Sequence, residues 1–330
     1  MKQFFYLQQQ IFYMFENTCP FCNVKVCYLC HMIPFRPLTI NDRPTVLKYT
    51  MNSTRRNCYL SFSNLYSWSS RFKTEITELG GHLLMRYRHG ERTTYLMPVG
   101  EGDIKPVVEA MISDAQELGQ EFRLIGICAE MRAKLETAFP DRFEFIGNRD
   151  YFDYVYLRSD LAELKGNKFQ PKRNHINKFK SEYPDYVYMP LTPDLVPECL
   201  RLEKCWWEAN NGERNLDLQD ERQAMTEAMN HIDELGIVGG TLWVEGHLVA
   251  FTFGCPINHD TFDTCVEKAC TDYDGAYAMI NHEFARHLPE QYVYINREED
   301  LGIEGLRKAK LSYAPVILLE KYAIRVKSEE

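Results

Sequence analysis

No stretch of the 330-residue chain approaches the ~18 consecutive apolar residues that a bilayer-spanning helix needs, so no spanning helix is expected. Positive charge is in deficit. Lys and Arg number 38 against 47 Asp and Glu, a formal charge of −9. Such a chain does not coat nucleic acid or anionic membrane non-specifically, although a local basic patch still can. Metal-like His spacing is missing too. His82, His175, His247, His259, His282 and His287 are assigned no ligand role, and no metal is expected on the folded part. A wholly disordered chain is excluded by 45% hydrophobic and 26% charged residues, an ordinary globular balance. At roughly 150 residues per domain the length suggests two domains. The 20 Tyr and 19 Phe exceed what two small cores need and hint at a lined cleft.

Residues 1–31 stand apart. Their apolar run is broken by Gln8, Gln9 and Gln10, and no small-residue cleavage site follows. Four of the 11 cysteines fall here, as Cys19-x-x-Cys22 and Cys27-x-x-Cys30. Paired knuckles of this type close a zinc tetrahedron when about 12 to 20 residues separate them. Here only Asn23 to Val26 intervene, so the segment reads as a leader and the globular sequence as starting at Met32. The other seven cysteines are scattered singly. Without an export signal they read as reduced thiols in a cytoplasmic protein.

From Met32 the pattern repeats. A helix through Thr50 is followed by Gly80-Gly81, strands at His82–Arg88 and Thr93–Val99, a helix from Pro106 to Leu118, a strand at Phe122–Ile127, a helix to Phe139 and a strand at Tyr151–Leu157. The second half begins with helices at Pro193–Trp206 and Asp220–Leu235. Gly239-Gly240 then precedes strands at Thr241–Val244 and Leu248–Phe253, turning at Glu245-Gly246. A strand at Thr261–Val266, a helix at Gly275–Leu288, a strand at Tyr292–Asn296, a helix at Ile303–Lys310 and a strand at Val316–Tyr322 complete it. The similar order predicts an internal duplication. The divisions are 32–158, a basic connection at 159–183, and 184–330.

Three places could carry chemistry. The connection holds six Lys or Arg between Lys165 and Lys180 with no acid among them. Lys172, Arg173 and Asn174 follow Pro171, in a first helical turn whose free N–H groups favour anions. The alternative is a solvated linker. Next, Asp274-Gly275-Ala276-Tyr277 lie where a strand turns into a helix, a geometry that can cradle phosphate. Many such turns bind nothing, and Asp272 and Asp274 would repel an anion unless turned away. Finally, the run Asn296 to Tyr313 is dense in acids and bases directly after a strand. Glu298 or Asp300 could hold or deprotonate an amine. Arg307 and Lys310, three apart, could hold a carboxylate or phosphate. A surface ion-pair network is the bland alternative.

These residues resemble a family. Tyr151 to Tyr156, Lys172 to Phe179, Leu242 to Phe251 and above all Asn296-Arg297-Glu298 to Lys310-Leu311-Ser312-Tyr313 are similar to the carboxyl-terminal domain of phosphatidylglycerol lysyltransferases, over about Met32 to Ala323. The resemblance implies an α/β (α+β) protein of two tandem GNAT-type acyltransferase domains, each a mixed, mostly antiparallel sheet flanked by helices, with the active site in the second. It implies transfer of an acyl or aminoacyl group from acyl-coenzyme A or aminoacyl-tRNA to a small amine, peptide, lipid-headgroup or hydroxyl acceptor. No counterpart of the membrane region that precedes this domain in the lysyltransferases is expected, since the 330 residues hold no spanning stretch. Of the GNAT pyrophosphate pattern, Asp272-x-x-Gly275-x-Tyr277 keeps only the central Gly. Any such transfer needs a base, oxyanion hydrogen bonds and a leaving-group proton. The expected catalytic residues are Glu298, Asp300 and Glu267, with Tyr313 as proton donor and backbone amides near Phe253–Pro256 facing the oxyanion. Lys172, Arg173, Asn174, Arg307, Lys310 and the Asp274–Tyr277 turn would bind the donor. The competing class is a non-catalytic tRNA or cell-wall-precursor binding module on the same fold.

Overall fold

A computed structural model describes residues 32–209 and 216–327. The expected leader and its cysteine pairs lie outside the described residues. The strands are β1 (Arg36–Pro37), β2 (Glu75–Leu79), β3 (His82–His89), β4 (Arg92–Gly100), β5 (Arg123–Ile127), β6 (Phe143–Gly147), β7 (Asp153–Leu157), β8 (Val187–Pro190), β9 (Val238–Val244), β10 (His247–Pro256), β11 (Thr261–Ala269), β12 (Tyr294–Asn296), β13 (Ile317–Leu319) and β14 (Tyr322–Val326). They form two sheets, β1-β2-β3-β4-β5-β14-β6 and β8-β9-β10-β11-β12-β7-β13. In each, the fourth and fifth strands are parallel and the other described pairings are antiparallel. A crossover helix joins each parallel pair, Ile104–Glu117 in the first half and Ala276–His287 in the second, as parallel pairing requires.

The sixth place of each sheet is filled by the other half. β7 enters the second sheet between β12 and β13, and β14 enters the first between β5 and β6. The sheets therefore cross the 158/184 divisions. This exchange also splits the strand expected at Val316–Tyr322. Ile317–Leu319 pairs with β7, whereas Tyr322–Val326 pairs with β5 and β6. Lys321 sits at the crossing, 5% exposed. Its ammonium lies 2.6 Å from Asp153 Oδ1 at the start of β7 and bonds Glu299 beyond β12. Burial works against the Lys321 ammonium, but the Asp153 and Glu299 carboxylates outweigh it and keep the group protonated.

The apolar core is shared in the same way. Leu60, Phe62, Leu83 and Leu96 from the first half pack in one cluster with Met225, Phe251 and Phe253 from the second. The repeat holds in topology but not at its glycine pairs. Gly80 and Gly81 have φ of +57° and +78° and turn the chain between β2 and β3. Gly239 and Gly240 lie inside β9, where a Cβ on Gly240 would come within 2.1 Å of the Tyr188 hydroxyl. Those two glycines serve close packing against β8. Among the described residues no helix is long and apolar enough to cross a membrane.

Candidate active site

β11 and β12 pair in parallel over only three residues each, Thr261–Asp263 against Tyr294–Asn296. β11 then stays with β10 as far as Ala269, while the chain after Asn296 parts from β11 and keeps to β7, Arg297 N–H donating to the Tyr154 carbonyl and Tyr154 N–H to the Glu298 carbonyl. The two strands thus part into a fork. Opposite β10 the register jumps from Val266–Phe253 to Thr264–Gly254, so Cys265 is an extra, bulged residue at the fork. A bulge breaks the strict alternation of faces. Asp263 and Glu267 consequently meet different neighbours, and so do the consecutive residues Arg297 and Glu298.

On one side, Arg297 Nη2 donates to Glu267 Oε1 at 2.8 Å, and Asn281 Nδ2 from the Ala276–His287 helix donates to Glu267 Oε2 at 3.1 Å. Arg297 Cζ lies 4.8 Å from the Tyr313 ring centroid, and Lys172 Nζ covers the same ring at 3.8 Å. Burial and the Arg297 charge lower the Lys172 ammonium to about 8. Burial raises the Tyr313 phenol, which keeps it protonated. On the other side, Asn64 Nδ2 from the Phe62–Ser67 helix donates to Glu298 Oε1 at 2.6 Å and to Asp263 Oδ2 at 3.0 Å. Cys265 Sγ is 3.5 Å from Asp263 Oδ2. Burial, then the Glu299 charge, pushes the Glu298 carboxyl up to about 8, and burial with the Glu298 charge pushes Asp263 up as well. Glu298 is held at φ +57°, a left-handed backbone rare for a residue with a side chain. Among the described residues, three buried polar atoms around the fork have no hydrogen-bond partner: Arg297 Nη1, Asn281 Oδ1 and Asp263 Oδ1. Unpaired buried polar atoms are costly in a finished core, and three gathered at parted strands are where a ligand or water can complete the bonding.

The fork therefore gathers Glu298, Glu267, Tyr313 and Lys172 from the sequence expectations. Several others are engaged elsewhere. Asp300 is wholly buried, accepting from Arg307 Nε at 2.8 Å, Tyr154 Oη at 2.5 Å and Arg149 Nη1 at 3.1 Å. Burial raises its carboxyl, but these bonds outweigh that and hold it below the usual range. It is a structural anion, not a free base. Arg307 is committed to Asp300 and Asp150, and Lys310 Nζ donates to the Arg297 and Glu299 carbonyls. The two cations therefore present no joint anion-binding face. Arg173 binds the Leu164 and Gly166 carbonyls, and Asn174 accepts from Gln170. Most other cations of the connection are paired, Lys165 with Glu163, Lys168 with Asp160 and Lys178 with Asp274.

The Gly275 turn is covered. Gly275 has φ +88°, and a Cβ there would lie 2.6 Å from the His175 carbonyl of the Gln170–Glu182 helix. The Ala276 N–H already donates to the Tyr273 carbonyl. Ala276 is buried, and Tyr277 projects at 36% exposure. These residues do not fit the pyrophosphate of coenzyme A. Phe253 and Gly254 pair with both β9 and β11, so their amides do not form the expected oxyanion hole. The first-half counterpart of the fork is plugged. Arg55 donates to the carbonyls of Met97, Pro98 and Gly126 between β4 and β5. A cavity of about 1310 Å³ lies beside it, lined by Lys48, Lys105 and Lys134 but also by Glu101, Asp103 and Glu130.

Asn64, Asp263, Asn281 and Arg297 were not picked out as site residues from sequence. Asp263 and Asn281 lie in a strand and a helix that read as core. Asn64 comes from the other half, 199 positions from Asp263. Arg297 adjoins the expected Glu298 within the run already singled out.

A family model described as the C-terminal region of phosphatidylglycerol lysyltransferase matches residues 50–325. A conserved protein of unknown function from Bacteroides thetaiotaomicron is 55% identical, with a TM-score of 0.88 over 90% of this chain and 100% of that one. L-PGS from Bacillus licheniformis superposes with a TM-score of 0.64 at 16% identity, over 90% and 95% of the two chains. FemX gives 0.55 at 8% identity, over 88% and 97%. An uncharacterised protein of Mycoplasmoides gallisepticum is 21% identical over 175 residues, 53% of this chain and 56% of that one, so the match spans just over half of that curated relative. The fold likeness to FemX and L-PGS agrees with two GNAT-like units.

Proposed function

The chain belongs to the phosphatidylglycerol lysyltransferase C-terminal family, and from that premise we propose that it transfers an acyl or aminoacyl group to an amine acceptor held in the β11–β12 fork. The observation that carries this reading is the fork itself. It sets a carboxyl pair and a buried guanidinium around strands that have parted, each with an unpaired atom. The acceptor ammonium meets Asp263 and Glu298. Glu298, positioned by Asn64, takes its proton so that the nitrogen lone pair can attack the donor carbonyl. Arg297 Nη1 meets the negative charge that develops on the carbonyl oxygen. Lys172 or Tyr313, both protonated at neutral pH, returns a proton to the leaving oxygen. The covered Gly275 turn and the acid pair Asp272 and Asp274 favour an aminoacyl ester donor over acyl-coenzyme A.

The test offers the protein charged tRNA carrying labelled amino acids, or labelled acetyl-coenzyme A, each with a panel of amines. The expected result is label transfer from the ester donor, lost in Arg297→Met. Transfer from acetyl-coenzyme A alone would overturn the donor assignment, and transfer undiminished in Arg297→Met would overturn the site.

A further inference from the structure

Two clusters of the same composition lie close together, one in the fork and one beside it at Glu299, and only the second is neutralised from within. The ligand atoms of Cys58, Asp153 and Glu299 all lie within 4.8 Å of one another. Lys321 stands among them, 2.6 Å from Asp153 Oδ1, 3.6 Å from Cys58 Sγ and bonded to Glu299. A protein ammonium already supplies the cation. The ligand atoms of Asp263, Cys265 and Glu298 are equally close together. Among the described residues neither Asp263 nor Glu298 forms an ion pair. The nearby Lys310 ammonium is spent on backbone carbonyls. Asp263 is 0% exposed and its Oδ1 has no partner, whereas Asn64 fixes the other oxygen together with Glu298. Burying two carboxyl groups side by side with an oxygen left over is costly unless they keep a proton or a cation joins them, and a cation with a thiolate at hand can use all three groups at once.

We propose that Asp263, Cys265 and Glu298 form a binding site for a borderline divalent transition ion, zinc first, competing there with the acceptor ammonium. A thiolate beside two carboxylates selects zinc or cobalt over magnesium and calcium, which prefer oxygen alone. Three protein ligands leave one tetrahedral position for water or an amine. Cys265 and Glu298 are partly exposed, which gives the ion a way in. Asn64, holding two of the ligands, is the outer partner that such sites usually carry. The inference shares Glu298 with the transfer reading but rests on donor geometry alone.

The test is a cobalt(II) titration of the reduced full-length protein, followed by thiolate-to-cobalt charge-transfer absorption. It is repeated in a variant with Cys19, Cys22, Cys27 and Cys30 all changed to Ser, and in Cys58→Ser. The band is expected in all three, displaced by zinc and indifferent to magnesium. Cys265→Ser should abolish it, and Asp263→Asn and Glu298→Gln should each weaken binding by at least about tenfold. Thermal unfolding without metal checks that each variant is folded. Glu298→Gln decides the matter if a buried substitution fails that check. Absence of the band, its survival in Cys265→Ser, its loss in the four-Ser variant or in Cys58→Ser, or unchanged affinity in Glu298→Gln would each overturn the proposal. Cobalt binding without transfer would instead count against the transferase reading and leave the metal site standing.

Discussion

Lys172 shows what a half-buried ammonium costs the fold. It sits over the Tyr313 ring beside the Arg297 guanidinium, and its ammonium is lowered to about 8. A lysine lowered on folding binds its proton more weakly in the native state, so its stability penalty is full below pH ~8 and fades as pH approaches the unfolded value near 10.5. Lys172→Met should therefore raise the unfolding midpoint at pH 7, by about 1 kcal/mol of stability after allowing for partial exposure, and should lose the advantage by pH 10. Thermal scans at the two pH values check this. A lower midpoint at pH 7 would mean that packing on Tyr313 outweighs the charge penalty. The legibility of the site also splits at this scale. Glu298, Glu267, Tyr313 and Lys172 were readable because charged and aromatic residues stand out beside a strand end. Asp300 and Arg307 looked equally reactive in sequence, yet they bind each other. Only three-dimensional pairing separates a free carboxyl from a saturated one.

Elements position these residues, and two of them invite tests. The Gln170–Glu182 helix crosses the start of the Ala276–His287 helix so closely that only glycine fits at position 275. Gly275→Ala combines a positive φ with a contact to backbone, so a loss of at least about 2 kcal/mol is expected in denaturant unfolding. A neutral result would mean that the helix can lift off the turn. In the first half, Asp42 precedes the Arg43–Thr50 helix and binds Arg36 on β1 at 2.6 Å and the Thr39 N–H at 2.8 Å. The Arg36 hydrogen bond leads in lowering its carboxyl from 3.8 to about 2, against opposing burial. The stability it contributes is complete above the unfolded value and is lost as pH falls through about 2. Asp42→Asn should accordingly cost about 1 kcal/mol at pH 7 and almost nothing at pH 2. Paired unfolding curves at those two pH values read the difference. Most helices and the long hairpins were legible from periodicity. β2, β6 and β8 were not, because they are short and partly exposed and show no clean alternation. The break between β13 and β14 was invisible because apolar residues run through it, and only the sheets each piece joins reveal it.

At the scale of the whole molecule, the exchange of β7 and β14 makes the two halves interdependent. The duplication was readable in sequence, but the exchange was not, since a strand's sheet is a matter of partners rather than composition. Lys321 locks both exchanged strands to Glu299 beside the fork. Lys321→Met leaves Asp153 and Glu299 buried without a cation and should cost about 3–5 kcal/mol. The loss should appear in a single cooperative transition followed by both near-ultraviolet and far-ultraviolet circular dichroism. Two separate transitions would show that the halves unfold independently. The central claim is that the β11–β12 fork is where a group is transferred. The most direct measurement is the initial rate of amino-acid transfer from labelled charged tRNA to an amine, for wild type and for Glu298→Gln at matched folded fraction. The predicted result is a fall of about 10²- to 10⁴-fold in Glu298→Gln. An equal rate in the two proteins would contradict the assignment and move the chemistry out of the fork.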